Sequence, residues 1–285
     1  MDWVVRTRPD LAVDWLLPVA AETYDGYLND INGAHVRPEH AVRALDAATS
    51  GPLAEGSVGG GTGMSCYSFK GGTGTSSRTV EYHGTEYTVG VLLQANFGRR
   101  GELRVAGVPL GETLAEDNPI EDSPWRGADL VRAGAGPSSA LGVPGAGSVI
   151  VVVATDAPLL PGQCKALARR VPLGLARTGT SGSHFSGDIF LAFSTATTDG
   201  PGLTSGPDGG TSDASAGYDT MRFVPWARLD PFFQAVVEAV EEAVLNALVV
   251  NADMTGRDGH RSPALPHDRL VEALTAAGVR VAPEG

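Results

Sequence analysis

Apolar residues in the last quarter of the chain recur at three- and four-residue spacing: Phe233, Val236, Val237, Val240, Val244 and Leu248 fall on one face of a helix. Asp230-Pro231 opens that helix as an N-cap followed by a favourable first residue. A second helix is predicted from about Pro266, carrying Leu270, Leu274 and Ala277 and ending at Gly278. A third starts at Pro38, with Val42 and Leu45 on one face and Gly51 as its C-terminal cap. Residues 161–177 read as a helix that Pro172 must kink or end.

Strand signals are of two kinds. Residues 148–154 (SVIVVVA) and 189–194 (IFLAFS) are short apolar runs of the sort that forms buried strands. Residues 79–82 (TVEY) and 87–94 (YTVGVLLQ) form a predicted hairpin. The run 15–20 (WLLPVA) reads as a strand passing into a loop. Between these elements lie a glycine-dense stretch at 58–74 and two long loops rich in small and acidic residues, 111–147 and 197–218. Strands and helices mix without βαβ regularity and without internal repeats, which predicts α+β layers.

Composition narrows the function. Asp+Glu 33 against Lys+Arg 21 gives a net charge of −12, the wrong sign for a nucleic-acid footprint. No apolar run approaches the ~18 residues of a membrane span. Cys66 and Cys164 are too few for a disulfide framework, and neither they nor the scattered histidines show metal-ligand spacing. The start, Met1-Asp2-Trp3-Val4, lacks a signal peptide's basic and apolar regions. An acidic, soluble globular protein of a reducing, cytoplasmic compartment is therefore expected, without metal or cofactor and with neither nucleic acid nor membrane as a partner.

Three segments could carry chemistry. The stretch 58–74 (VGGGTGMSCYSFKGGTG) is followed by a hairpin, whereas a phosphate loop needs a helix N-terminus there, and it contains no GxxxxGK[ST]. Its glycines are better read as permitting close backbone approach, and Cys66 as a small core residue. At Gly147-Ser148 a long loop meets a buried strand. Cutting the bond before Ser148 would leave a serine whose own α-amine, with a pKa near ~8, can act as a base at neutral pH. Ser186-Gly187-Asp188 places a hydroxyl and a carboxylate two residues apart at a strand mouth, where they share a face; the same residues would also form an ordinary Asx turn.

Longer blocks carry a resemblance: AETYDGYLNDINGAHVRPEHAVRALDAATSGPLAEGSVGGGTGM (21–64), VGVLLQANFGRRGELRVAGVPLG (89–111), GSVIVVVATDAPLLP (147–161), LGLARTGTSGSHFSGDIFLAFSTA (173–196) and MTGRDGHRSPALPHDRL (254–270). Together they resemble the DmpA/BapA family of self-processing serine aminopeptidases, the L-aminopeptidase/D-esterases and β-peptidyl aminopeptidases. The resemblance implies an αββα sandwich similar to N-terminal-nucleophile hydrolases, and a single domain cut into 1–147 and 148–285. Position by position, it implies Ser148 as the nucleophile exposed by cleavage after Gly147, with Ser186 and Asp188 assisting proton transfer. Tyr24 and Asn96 match the oxyanion-stabilising pair, and Glu22 is the candidate grip on the substrate's ammonium group. The implied partners are a peptide or amino-acid amide and further copies of the processed chain.

The family pattern also implies sandwich strands before the equivalent of Trp15. Without them, Trp3, Trp15, Leu16 and Leu17 are expected at an exposed apolar patch. The linker before Ser148 is longer than the pattern. An inactive remnant or structural subunit is the alternative of a different class. Acyl transfer of the ornithine acetyltransferase kind is a third reading; that family uses threonine, and Ser148 speaks against it.

Overall fold

The computed structural model describes residues 1–9, 12, 18–122, 147–183, 186–196 and 222–280. In chain order the elements are α1 (Asp2–Thr7), α2 (Pro38–Asp46), β1 (Ser65–Cys66), β2 (Phe69–Lys70), β3 (Gly72–Tyr82), β4 (Thr85–Asn96), β5 (Arg104–Val105), β6 (Val108–Pro109) and α3 (Pro119–Asp122). They continue with β7 (Ser148–Thr155), α4 (Pro161–Ala168), α5 (Val171–Arg177), β8 (Ile189–Ser194), α6 (Asp230–Val249), β9 (Met254–Thr255), β10 (Arg261–Ser262) and α7 (His267–Ala276).

One four-stranded sheet in the order β3-β4-β7-β8 frames the molecule. The expected hairpin is present but longer, because β3 begins at Gly72 within the glycine-dense stretch. Tyr82 pairs with Thr85 across a two-residue turn, His83-Gly84, whose φ angles of 51° and 75° suit the right-handed twist of a tight hairpin. β4 runs antiparallel to β7 from Val89↔Thr155 to Asn96↔Ser148. β7 and β8 are parallel, joined through α4 and α5, so one βαβ unit stands where the sequence predicted none. Helices and a mixed sheet make the α+β class expected.

α6 lies across β3 and β4. Its buried residues are Phe232, Ala235, Val236, Ala239, Val240, Ala243, Val244, Ala247 and Leu248. This face is turned from the predicted one: Phe232 is wholly buried, whereas Phe233 is half-buried under the Arg170 guanidinium, 4.1 Å from its ring centroid. The alanines at four-residue spacing explain the turn, since they let the helix backbone approach the sheet. A Cβ on Gly74 would lie 1.9 Å from the Ala243 carbonyl oxygen, so only glycine fits beneath the helix. Phe232 contacts the rings of Tyr82 and Tyr87 at centroid distances of 6.4 and 6.2 Å. Phe232→Ala is expected to destabilise by about 3–5 kcal/mol, and Phe233→Ala by clearly less, in denaturant unfolding.

The remaining helices match expectation in part. A short helix, α1, occupies the start of the chain, and Trp3 is half-buried with its indole N–H donating to Asp46 at 2.6 Å. α2 begins at Pro38 as predicted, buries no residue, and stops at Asp46 before reaching Gly51. Pro172 does end the helix predicted at 161–177: α4 stops at Ala168, and α5 restarts with the proline in its first turn. α7 spans His267–Ala276 and buries Leu270 and Leu274 but not Ala277. Residues 15–17, 123–146 and 197–221 lie outside the described residues, and with them Trp15, Leu16, Leu17 and most of both long loops.

β8 forms where expected but is not buried. Ile189, Leu191 and Phe193 are 39, 46 and 43% exposed, alternating with half-buried Phe190, Ala192 and Ser194. β7 alternates likewise: Val149, Val151, Val153 and Thr155 are buried, while Ser148, Ile150, Val152 and Ala154 are half-buried. Among the described residues the sheet thus has a face covered by helices and an apolar face that is not, with Ser148 on the second. This is one helix layer on one sheet of the αββα order; among the described residues no second sheet of comparable size covers the open face. No helix among the described residues is long and apolar enough to cross a membrane.

Candidate active site

Ser148 is the first residue of β7, where the sheet's open face meets the segment entering β8. Its Oγ accepts a hydrogen bond from the Gly187 N–H at 2.8 Å. Asp188 Oδ1 accepts one from the Val149 N–H at 3.0 Å and another from the Ser186 hydroxyl. The parallel start of β8 beside β7 therefore brings the two predicted segments, 40 residues apart along the chain at their outer ends Ser148 and Asp188, into one cluster. An N–H aimed at the serine oxygen favours its alkoxide character, and a carboxylate on the neighbouring hydroxyl can receive a proton through it. Ser186-Gly187-Asp188 is thus more than the self-contained Asx turn that its sequence also allowed.

Gly147 shows why the residue before Ser148 is glycine. A Cβ there would lie 2.1 Å from the Asn96 carbonyl oxygen and 3.1 Å from Phe97 Cα, both main-chain atoms that cannot swing aside. The Gly147–Ser148 peptide is pressed against the end of β4 by this approach.

Asn96, the last residue of β4, pairs in register with Ser148. Its buried side chain has a fixed orientation: Oδ1 accepts from the Ser65 N–H at 3.0 Å, and Nδ2 donates to the Tyr24 carbonyl at 2.7 Å. A main-chain donor tolerates only the oxygen and a main-chain carbonyl only the nitrogen, so the carboxamide cannot flip without losing both bonds. Tyr24 meets this cluster through its main chain, and its partly exposed phenol ring lies against Gly26. Glu22 is exposed, with no hydrogen bond or ion pair among the described residues.

Two main-chain donors, the N–H groups of Gly187 and Ser65, belong to the cluster and were missing from the sequence reading. No side chain marks them; the only available signal was glycine beside a candidate acid. Ser65 sits in the glycine-dense stretch, which folds as the β1–β2 hairpin with Tyr67 and Ser68 at φ 51° and 57°. Buried Arg100 holds that turn, donating to the carbonyls of Tyr67 at 3.0 Å and Ser68 at 2.6 Å while stacking on Phe69. Cys66 is fully buried there, and desolvation pushes its thiol pKa well up, which is the reverse of an activated nucleophile. Among the described residues no group of three or more His, Cys, Asp or Glu could hold a metal ion.

The fold is similar to that of a serine aminopeptidase described as a new variant among the N-terminal-nucleophile hydrolase folds. The chain belongs to peptidase family S58, whose family model matches residues 1–262. It is 49% identical over 256 residues to the β-peptidyl aminopeptidase BapA of Sphingosinicella microcystinivorans, covering 90% of this chain and 60% of that protein. It is 42% identical over 278 residues to BapA of Sphingosinicella xenopeptidilytica, covering 97% of this chain and 64% of that one. Among solved structures, the L-aminopeptidase D-Ala-esterase/amidase of Ochrobactrum anthropi superposes with a TM-score of 0.77 at 40% identity, covering 96% of this chain and 68% of that one. A Burkholderia sp. β-aminopeptidase gives 0.77 at 43% identity, covering 98% and 71%. The chain thus spans 60–64% of the length of these two curated relatives.

Proposed function

We propose that this chain is the catalytic part of a serine aminopeptidase that cuts itself between Gly147 and Ser148 and then uses the new N-terminal serine on substrate. The observation that carries the reading is the joint placement of Ser148 Oγ on the Gly187 N–H and of Asp188 on the Val149 N–H and the Ser186 hydroxyl. In maturation the Ser148 Oγ adds to the Gly147 carbonyl. The acyl group passes from nitrogen to oxygen, and water cleaves the ester to leave a Gly147 carboxylate and a Ser148 α-amine. The glycine keeps that carbonyl within reach, because a side chain would push it off the end of β4.

In turnover the same oxygen attacks the amide or ester following an N-terminal residue. Its proton leaves toward the Ser186–Asp188 pair or the new α-amine, the amine or alcohol departs, and water releases the acyl-enzyme. The Asn96 carboxamide and the Tyr24 phenol are the side-chain donors assigned to the oxyanion, and Glu22 is assigned to the substrate ammonium. The β-peptidyl and β-amino names of three relatives make N-terminal β-amino acids the substrates to test first.

The test is hydrolysis of β-aminoacyl and α-aminoacyl p-nitroanilides by the purified protein, with Asp188→Asn beside it. Asparagine keeps an acceptor for the Val149 N–H but neither the charge nor the proton capacity, so kcat is expected to fall about a hundredfold or more with the melting temperature little changed. Near-normal turnover by this variant would remove Asp188 from the mechanism.

A further inference from the structure

We infer that Lys70 is a positioning residue for the Asn96 carboxamide, acting through the peptide unit that joins Met64 to Ser65. Lys70, at the end of β2, is fully buried, an arrangement that is costly for an ammonium group. Its three donors are all taken by main-chain carbonyls: Gly71 at 2.7 Å, Met64 at 2.9 Å and Gly61 at 3.2 Å. The charge is therefore spent on the backbone of the glycine-dense segment rather than on a carboxylate.

The Met64 carbonyl and the Ser65 N–H are the two ends of one rigid amide. Lys70 Nζ and the Gly71 N–H, at 3.0 Å, hold the oxygen end, and the hydrogen end donates to Asn96 Oδ1 at 3.0 Å. A line of hydrogen bonds thus runs from the ammonium through this amide into the carboxamide, and each bond polarises the next. It does two things at Asn96. It fixes the oxygen toward Ser65, so that Nδ2 faces the other way, and it strengthens Nδ2–H as a donor. Burial lowers the Lys70 pKa to about 8, against the opposing attraction of Asp25, which leaves the group charged at pH 7. A methionine would fill the same space at lower desolvation cost. Beside serving the three carbonyls, the charge polarises the amide it holds.

The inference rests on the assignment of Asn96 to the oxyanion, and the experiment separates the two. Lys70→Met, Asn96→Ala and the double variant are compared at pH 7, with kcat expressed per chain cut at Gly147–Ser148. Lys70→Met is expected to lower kcat about tenfold to a hundredfold, the loss of a hydrogen bond from a charged group, with KM within about threefold. In the Asn96→Ala background the same substitution should change kcat by less than about twofold, because the group it acts through is gone. An additive loss in the double variant would reduce Lys70 to a structural cation and overturn the inference, as would wild-type kcat in Lys70→Met while Asn96→Ala is impaired. Unimpaired Asn96→Ala would overturn the oxyanion assignment and this inference with it. Should Lys70→Met not fold, Lys70→Gln keeps amide donors without charge and is expected to show the same non-additive loss, about fivefold or more. Failure of both variants to fold would assign Lys70 to stability alone and overturn the inference.

Discussion

Ser148→Ala is expected to leave the chain in one piece and without turnover. The substitution removes only the Oγ that accepts the Gly187 N–H, while β7 keeps its pairing with β4 and β8. Val149, Val151 and Val153 remain packed on the helix-covered face, so folding should be unaffected. Both reactions assigned to the site begin with the same oxygen, and both should therefore stop. Loss of a nucleophile in a serine hydrolase lowers kcat on the order of 10⁶-fold, which for an amide assay is background. Intact-mass measurement and the p-nitroanilide assay check the two halves separately. Retention of cutting would move the processing nucleophile elsewhere, and retention of turnover would do the same for the enzyme nucleophile.

Asn96→Ala carries the second-largest expected effect. The side chain is buried at the end of β4, level with Ser148, and both ends of its amide are held by main-chain groups. A donor held this way needs no reorganisation as the attacked carbonyl becomes an oxyanion, which is why such a donor contributes about 3–4 kcal/mol. We expect kcat to fall about a hundredfold to a thousandfold with KM little changed. The variant also strips the Ser65 N–H and the Tyr24 carbonyl of partners, which adds a loss of about 1–3 kcal/mol in stability. Full-rate hydrolysis by a folded Asn96→Ala protein would exclude this residue from the oxyanion site.

Much of this arrangement could be read from the chain. The run VIVVV after Ser148 reads as a strand because β-branched residues of that density suit a pleated, half-buried surface. Pro172 broke its helix as a proline must. The face of α6 was read one residue off because alanine was not counted as a core residue, whereas close approach to a sheet selects for it. Apolar content alone cannot separate an edge strand from a buried one, so Ile189, Leu191 and Phe193 were assigned to a core that covers only one side of β8. α1 has six residues and no period to detect.

At the site, the residues with a chemical signature were legible: Ser148, Ser186 and Asp188 as types, and Asn96 through the family blocks. The groups that orient them were not. Gly187 and Ser65 contribute main-chain N–H groups, which every residue other than proline possesses. Lys70 is one polar residue in a glycine run, and only its burial on three carbonyls distinguishes it. Tyr24 and Glu22 came with the resemblance; the structure places the Tyr24 carbonyl on Asn96 and leaves the Glu22 side chain exposed.

The central claim is that the bond entering β7 is severed by the residue that follows it. Denaturing mass spectrometry of the freshly purified wild-type protein, with sequencing of the new amino terminus, reads this directly. The account predicts two polypeptides, one ending at Gly147 and the other beginning Ser148-Val149-Ile150. A single folded polypeptide still continuous through that bond, whether it hydrolyses aminoacyl amides or is inert toward them, would contradict it.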